Sequence, residues 1–172
     1  MQQHLISFII AVNEAEEGDL SIPLSSINNQ LGIDFRRVQV ILVDNGRYRL
    51  NDPGTFRLFK NLQIEYLTTD EVLTWEDAFN RGIKAADGKF LMFMGPDGQL
   101  NQTNVIQNFA TVAQKNPTAE LLSGVILEQD MTKTRTTEYR VGRDFATARG
   151  RWISRDLLKR TGVQWTAIGQ YS

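Results

Sequence analysis

Two aspartates carry most of the chemistry this sequence offers. The stretch "VQVILVDNG" closes an apolar run with Asp44-Asn45-Gly46, and "FLMFMGPDG" closes another with Gly95-Pro96-Asp97-Gly98. A carboxylate at the end of a buried run is an acceptor without a donor. It suits a nucleobase N–H or a ribose hydroxyl, and its hard oxygens suit Mg2+ or Mn2+ on a diphosphate. The same residues have a second reading. Gly, Pro, Asn and Asp are also what a tight turn takes, and on spacing alone the turn reading stands first. Asn13-Glu14, after "LISFIIAV", forms a third polar pair in the same relation to an apolar run.

Other chemistries are closed off. The 172 residues include no cysteine and one histidine, His4, close to the first residue. Disulfides, thiolate nucleophiles and cysteine zinc sites are excluded, and any acid–base work falls to carboxylates. No G-x-G-x-x-G follows the first apolar run, and no G-x-x-x-x-G-K-[ST] occurs anywhere. A bound nucleotide would therefore lack a glycine-rich phosphate cradle, and a metal ion becomes the natural counter-charge.

The elements that must position these residues read as follows. A continuous apolar run at 5–12 and apolar-rich segments at 38–43, 62–67, 89–94 and 120–127 predict strands, the first two buried as in parallel sheets. Leu20, Leu24, Ile27 and Leu31 recur at helical spacing, with Ser21 and Pro23 as a start signal. Short helix character follows Pro53. Residues 74–88 predict a helix with Trp75, Ala78, Phe79 and Ile83 inward and Gly88 as its stop. Residues 104–116 predict another, and 154–162 a short one capped by Ser154 and stopped by Gly162. Strands alternating with helices predict an α/β domain on a mainly parallel sheet. Ligands in such sheets bind beyond the carboxyl ends of strands, which selects the segments after Val12, Val43 and Met94.

Charge is uneven. Residues 1–132 carry 10 Lys/Arg and 17 Asp/Glu, whereas 133–172 carry 9 and 3, so a balance of −7 is followed by one of +6. The basic segment either pairs with the acidic remainder or faces phosphates or an anionic surface. Trp152 and Trp165 lie there with Arg149, Arg151 and Arg155. Stacking on a sugar or base is one reading of the tryptophans, and burial in the core is the other. No apolar run approaches the length of a membrane span, and the first residues lack the basic flank of a signal peptide, which predicts a cytoplasmic chain.

Taken in order, these segments resemble the family 2 glycosyltransferases, nucleotide-diphospho-sugar enzymes of the GT-A type. "ISFIIAVNE" is similar to the family's opening strand, with Ala11-Val12-Asn13-Glu14 where Pro-Val-Tyr-Asn is usual. "LSSINNQ" resembles the following Ser-Leu-x-x-Gln helix. "VQVILVDNG" resembles the strand ending Val-Asp-Asp-Gly, and "EDAFNRGIKAADGKFLMFMGPDGQL" the helix and strand that end in an Asp-x-Asp metal motif. "RGRWISRDLLKRTGVQW" is similar to the later basic segment and its helix. No single match decides; five in the family's order weigh more together.

The resemblance implies a Rossmann-like GT-A fold in one domain over 1–172. Residues 1–130 would form the nucleotide-sugar-binding part, and 131–172 the start of an acceptor part. It implies nucleotide contacts from Ala11, Asn13, Glu14, Asp44, Gly46 and Asp97, with Asp44 reading the base and Asp97 ligating Mn2+ or Mg2+. Gly95 stands where the first metal-binding aspartate usually is, and Phe79 where the family has an arginine. The family's catalytic base lies in a Glu-Asp motif just after the counterpart of "GVQW", about where this sequence reaches Ser172, so the catalytic residue stays unknown.

The activity implied is inverting transfer of a sugar from a UDP- or GDP-sugar to a glycan or lipid-linked acceptor in cell-surface polysaccharide synthesis. The basic 133–160 segment would then contact the inner face of the membrane. A catalytically degenerate domain that binds a nucleotide, glycan or partner is the alternative. Nucleic-acid binding is not expected, because the chain is slightly acidic overall and carries no recognised nucleic-acid module.

Overall fold

The computed structural model describes residues 4–12, 20–44, 53–95, 98–130, 135–140 and 150–162, with backbone only for 53–55, 125–130 and 135–140. The strands are β1 (Ile6–Val12), β2 (Val38–Asp44), β3 (Ile64–Leu67), β4 (Phe90–Met94), β5 (Leu121–Ser123), β6 (Val125–Asp130), β7 (Arg135–Arg140) and β8 (Arg151–Ser154). The helices are α1 (Ser21–Asn28), α2 (Trp75–Ala85), α3 (Val105–Lys115) and α4 (Arg155–Thr161). Short 3-10 turns occupy Phe35–Arg37 and Pro53–Leu58.

Six strands form one sheet in the order β3-β2-β1-β4-β8-β5. The pairs β3–β2, β2–β1 and β1–β4 are parallel, while β8 runs antiparallel to both β4 and β5. Chain order reverses between β1 and β4, which is where open α/β sheets open a crevice at their carboxyl ends. The hairpin β6–β7 is a separate two-stranded ribbon.

Every residue of β1 and β4 is buried, because helices cover both faces of the sheet. Strand alternation splits the core in two. Phe8, Ile10, Val12 and Leu42 pack with Leu24 and Ile27 of α1 and Ile106 of α3. On the other face Ile9, Ala11, Val43 and Phe93 pack with Ala78 and Phe79 of α2. Among the described residues, no helix is long and apolar enough to cross a membrane.

The local signals of the sequence are modified in four places. α1 ends at Asn28, so Leu31 leaves the apolar face and is 64% exposed. α1 is flanked by Leu20 without a side-chain cap, so Ser21 does not cap it. The run 120–127 is interrupted at Gly124 into β5 and β6, which belong to different sheets. α2 stops at Ala85 because Ala86 turns extended, at φ −76° and ψ 137°; Gly88 is not its stop. Two expectations hold as written. Ser154 caps α4 by accepting from Leu157 N at 3.2 Å, and Gly162 ends it in the left-handed region at φ +67°.

Candidate nucleotide site

The carboxyl ends of β1, β2 and β4 come together on one rim. Val12 stands in register with Asp44, and Met94 with Ile10. Asp44 is the last residue of β2 and only 2% exposed. Tyr66 of β3 donates its hydroxyl proton to Asp44 Oδ2 at 2.7 Å. The Tyr66 ring leans on Phe56, with centroids 5.8 Å apart and planes at 52°. A buried carboxylate is stable only when donors surround it, and Tyr66 is one of those donors.

Ala11 lies on the opposite face, fully buried in the cluster with Ile9, Val43 and Phe79. Asn13, Glu14, Gly46 and Asp97 lie outside the described residues. The flanks of "GPDG" are described: Gly95 is buried, and Gly98 N donates to Gly95 O at 3.1 Å. That hydrogen bond joins the two described flanks of the segment.

The segment after Gly98 is held by α1 and the residues just behind it. Leu100 N donates to Ser26 Oγ at 3.0 Å, and the Ser26 hydroxyl donates to Pro23 O at 2.8 Å. Gln30, 3% exposed, donates Nε2 to Gln102 O and to Ser26 O, and accepts from Ile106 N at 3.0 Å. Leu31 N donates to Thr103 O at 2.7 Å. Asn104, at the N-terminus of α3, forms no side-chain cap bond, so Gln30 satisfies a first-turn amide from another element. Gln30 closes the "LSSINNQ" stretch that resembles the family's Ser-Leu-x-x-Gln helix, but its clamping role and Tyr66 are not marked by the sequence. A tyrosine in "LQIEYL" looks like strand filler. The usable signal for Tyr66 was register, since strands of equal direction bring their last polar side chains together.

Phe79, where a cation was the alternative, is fully buried, edge-on to Phe93 at 5.2 Å and stacked on Trp75 at 6.1 Å. Ahead of it, Thr74 caps α2 by accepting from Asp77 N at 3.1 Å. Glu76 and Asp77 therefore sit in a first turn, where the helix dipole favours negative charge.

Trp152 is core. It is fully buried, parallel to Phe109 at 4.9 Å and tilted on Phe90 at 5.8 Å. Of the arginines near it, Arg151 begins β8 toward the carboxyl end of β4, and Arg155 lies at the other end. Arg155 N donates to Lys89 O at the amino end of β4, the far end of the sheet from Asp44, and Arg149 lies outside the described residues. Part of the basic segment is paired within the domain. Arg160 bonds Asp156 and Glu120, and these contacts, the Asp156 hydrogen bond foremost, raise its pKa. On the surface before β2, the Arg36 side chain and backbone amide together hold the Asp34 carboxyl below its ordinary pKa.

Among the described residues no group of three His, Cys, Asp or Glu side chains is arranged to hold a metal. The donor set of "GPDG" is one carboxylate. Its hard oxygens would suit Mg2+ or Mn2+.

The model of the family described as "Glycosyl transferase family 2" matches residues 7–168. The chain belongs to glycosyl transferase family 2. Solved structures agree on the fold. Residues 1–349 of S. aureus TarS superpose with a TM-score of 0.71 at 16% identity, over 93% of this chain and 50% of that one. The same TarS segment in complex with UDP-GlcNAc gives a TM-score of 0.67 at 16% identity, over 93% and 48%. The mannosyltransferase PcManGT from Pyrobaculum calidifontis, in complex with GDP-Man and Mn2+, gives 0.65 at 16% identity, over 91% and 46%. This family 2 chain thus spans about half the length of these solved structures. No curated protein sequence matches it significantly. The six-stranded, mostly parallel sheet of this family 2 member is the GT-A architecture expected from the sequence.

Proposed function

We propose that this chain is the donor-binding part of a glycosyltransferase that moves a sugar from a nucleotide-diphospho-sugar to a glycan or lipid-linked acceptor in cell-surface polysaccharide synthesis. One observation carries the reading: Asp44, buried and oriented, ends β2 beside the β1–β4 reversal point in a chain matched to family 2 along nearly its whole length. The related folds solved with UDP-GlcNAc and with GDP-Man and Mn2+ support the substrate class.

In this reading Asp44 accepts a hydrogen bond from the nucleobase. Ala11, through its backbone, lines the pocket with Asn13, Glu14 and Gly46. Asp97 holds the divalent cation, Mn2+ or Mg2+. When bound, that ion neutralises charge on the departing diphosphate. Residues 1–130 supply the donor side and 131–172 begin the acceptor side. The acceptor hydroxyl must lose a proton as it attacks, and no residue of this chain is assigned that task. The basic 133–160 segment, on the same reading, approaches an anionic acceptor or membrane surface at the cytoplasmic face.

Calorimetric titration of UDP, GDP and CDP, each with and without Mn2+, tests the donor site. We expect one nucleotide to bind, more tightly with the metal, and Asp97→Ala to abolish the metal's contribution. Failure of every nucleotide to bind in either condition would overturn the reading.

A further inference from the structure

Tyr66 belongs to none of the motifs that identify the family. It pairs in register with Leu42, which puts it on the same sheet face as Asp44 two residues further along β2. Its ring is half-buried against the core and braced by Phe56, and its hydroxyl reaches Asp44 Oδ2 at 2.7 Å. An aromatic side chain has only two torsions to fix, so a packed tyrosine holds its hydroxyl in place at small entropic cost. Asp44 is 2% exposed, so water is in no position to reorient it.

We propose that Tyr66 is a positioning residue for nucleobase selection: its hydroxyl fixes the Asp44 carboxylate in one rotamer, as an acceptor aimed at the rim. The inference rests on the reading of Asp44 as the base contact. A carboxylate oxygen takes more than one hydrogen bond, so the phenol orients the group without exhausting it. Such a group matches a base edge that presents an N–H, as the imide of uracil and the N1–H of guanine do. Cytosine presents its N3 lone pair there, and adenine its N1. Acceptor would then face acceptor in a buried site, where an unmatched polar group is costly. Without the hydroxyl, the carboxylate loses one of the contacts that orient it and the selection is blunted.

The test is calorimetric titration of UDP, GDP, CDP, ADP and inorganic pyrophosphate, all with Mn2+, against the full chain and Tyr66→Phe. We expect the unmodified chain to favour UDP or GDP over CDP and ADP. Tyr66→Phe should weaken the favoured nucleotide about tenfold or more, the usual scale for a hydrogen bond to a charged group, and narrow the ranking. Pyrophosphate affinity should not change. An equal loss for pyrophosphate and nucleotide, no loss for either, or a preference for CDP or ADP overturns the role of Tyr66 and leaves the donor site standing. No nucleotide binding to the unmodified chain overturns both. If Tyr66→Phe does not fold, 3-fluorotyrosine at position 66 keeps the hydroxyl but makes it a stronger donor. Nucleotide affinity should then move while pyrophosphate affinity stays, and an unchanged nucleotide affinity overturns the role.

Discussion

At Gly88 a methyl group has no room. A Cβ there would lie 2.5 Å from Ser7 Oγ, 2.7 Å from Ser7 N and 2.9 Å from the Ile6 carbonyl carbon, so backbone would have to move. Ser7 is fully buried in the middle of a polar link. Its hydroxyl accepts from Gly88 N at 2.8 Å and donates to Gln39 Oε1 at 2.6 Å. We expect Gly88→Ala to destabilise the fold by about 1–3 kcal/mol, the scale of overpacking, measured by urea unfolding. Ser7→Ala should cost a comparable 1–3 kcal/mol, roughly, by leaving a buried amide unpaired. Because both changes break one contact, the double variant should lose less than the sum. A stabilities-add result would show the contact is not shared. The sequence does mark Gly88, but as a helix stop. What the glycine serves is close approach to β1, a long-range fact that spacing along the chain cannot contain.

Among the elements, α1 and α3 are joined by a polar clamp as well as by their packing. Gln30 joins the end of α1 to Gln102 and to the first turn of α3. Gln30→Ala should expose the amides of 100–106 to faster hydrogen exchange while leaving β1 and β2 protected. Uniformly faster exchange throughout would mean general unfolding and would refute a local clamp. Gln30→Glu keeps the acceptor for Ile106 N and should retain more of that protection. β8, paired to both β4 and β5, places Trp152 in the core. Its buried Nε1 has no hydrogen-bond partner among the described residues, so its contribution is packing. Trp152→Phe should therefore cost much less than Trp152→Ala, for which about 3–5 kcal/mol is usual in a core. Equal costs would point to a hidden polar role. These elements were unequally legible. The strands β1, β2 and β4 announce themselves as apolar runs, because both faces are covered. β8 is four residues, Arg151–Ser154, with side chains divided between two faces, and only its tertiary neighbours make it a strand.

For the whole molecule the question is whether two strand exits serve one ligand. Fold and family were readable from ordered weak matches, whereas the rim was readable only as a rule about where parallel strands end. If Asp44 reads the base and Asp97 the metal–diphosphate end, each acts on a separate part of the same nucleotide. Distant contacts on one ligand contribute independently, so Asp44→Asn and Asp97→Ala should weaken a nucleoside diphosphate additively, within about 0.5 kcal/mol. Inorganic pyrophosphate with Mn2+ should register Asp97→Ala alone. A thermal melt reads this directly. A ligand at a hundredfold excess over Kd stabilises by about 2.7 kcal/mol, which for a chain of this size is roughly 5–10 °C in Tm. Each substitution should remove its own share of that shift, and chelating the metal should reproduce Asp97→Ala and add nothing to it. If pyrophosphate also responded to Asp44→Asn, the two exits would be coupled through the fold. Asp44 would then be structural at the rim instead of touching the base.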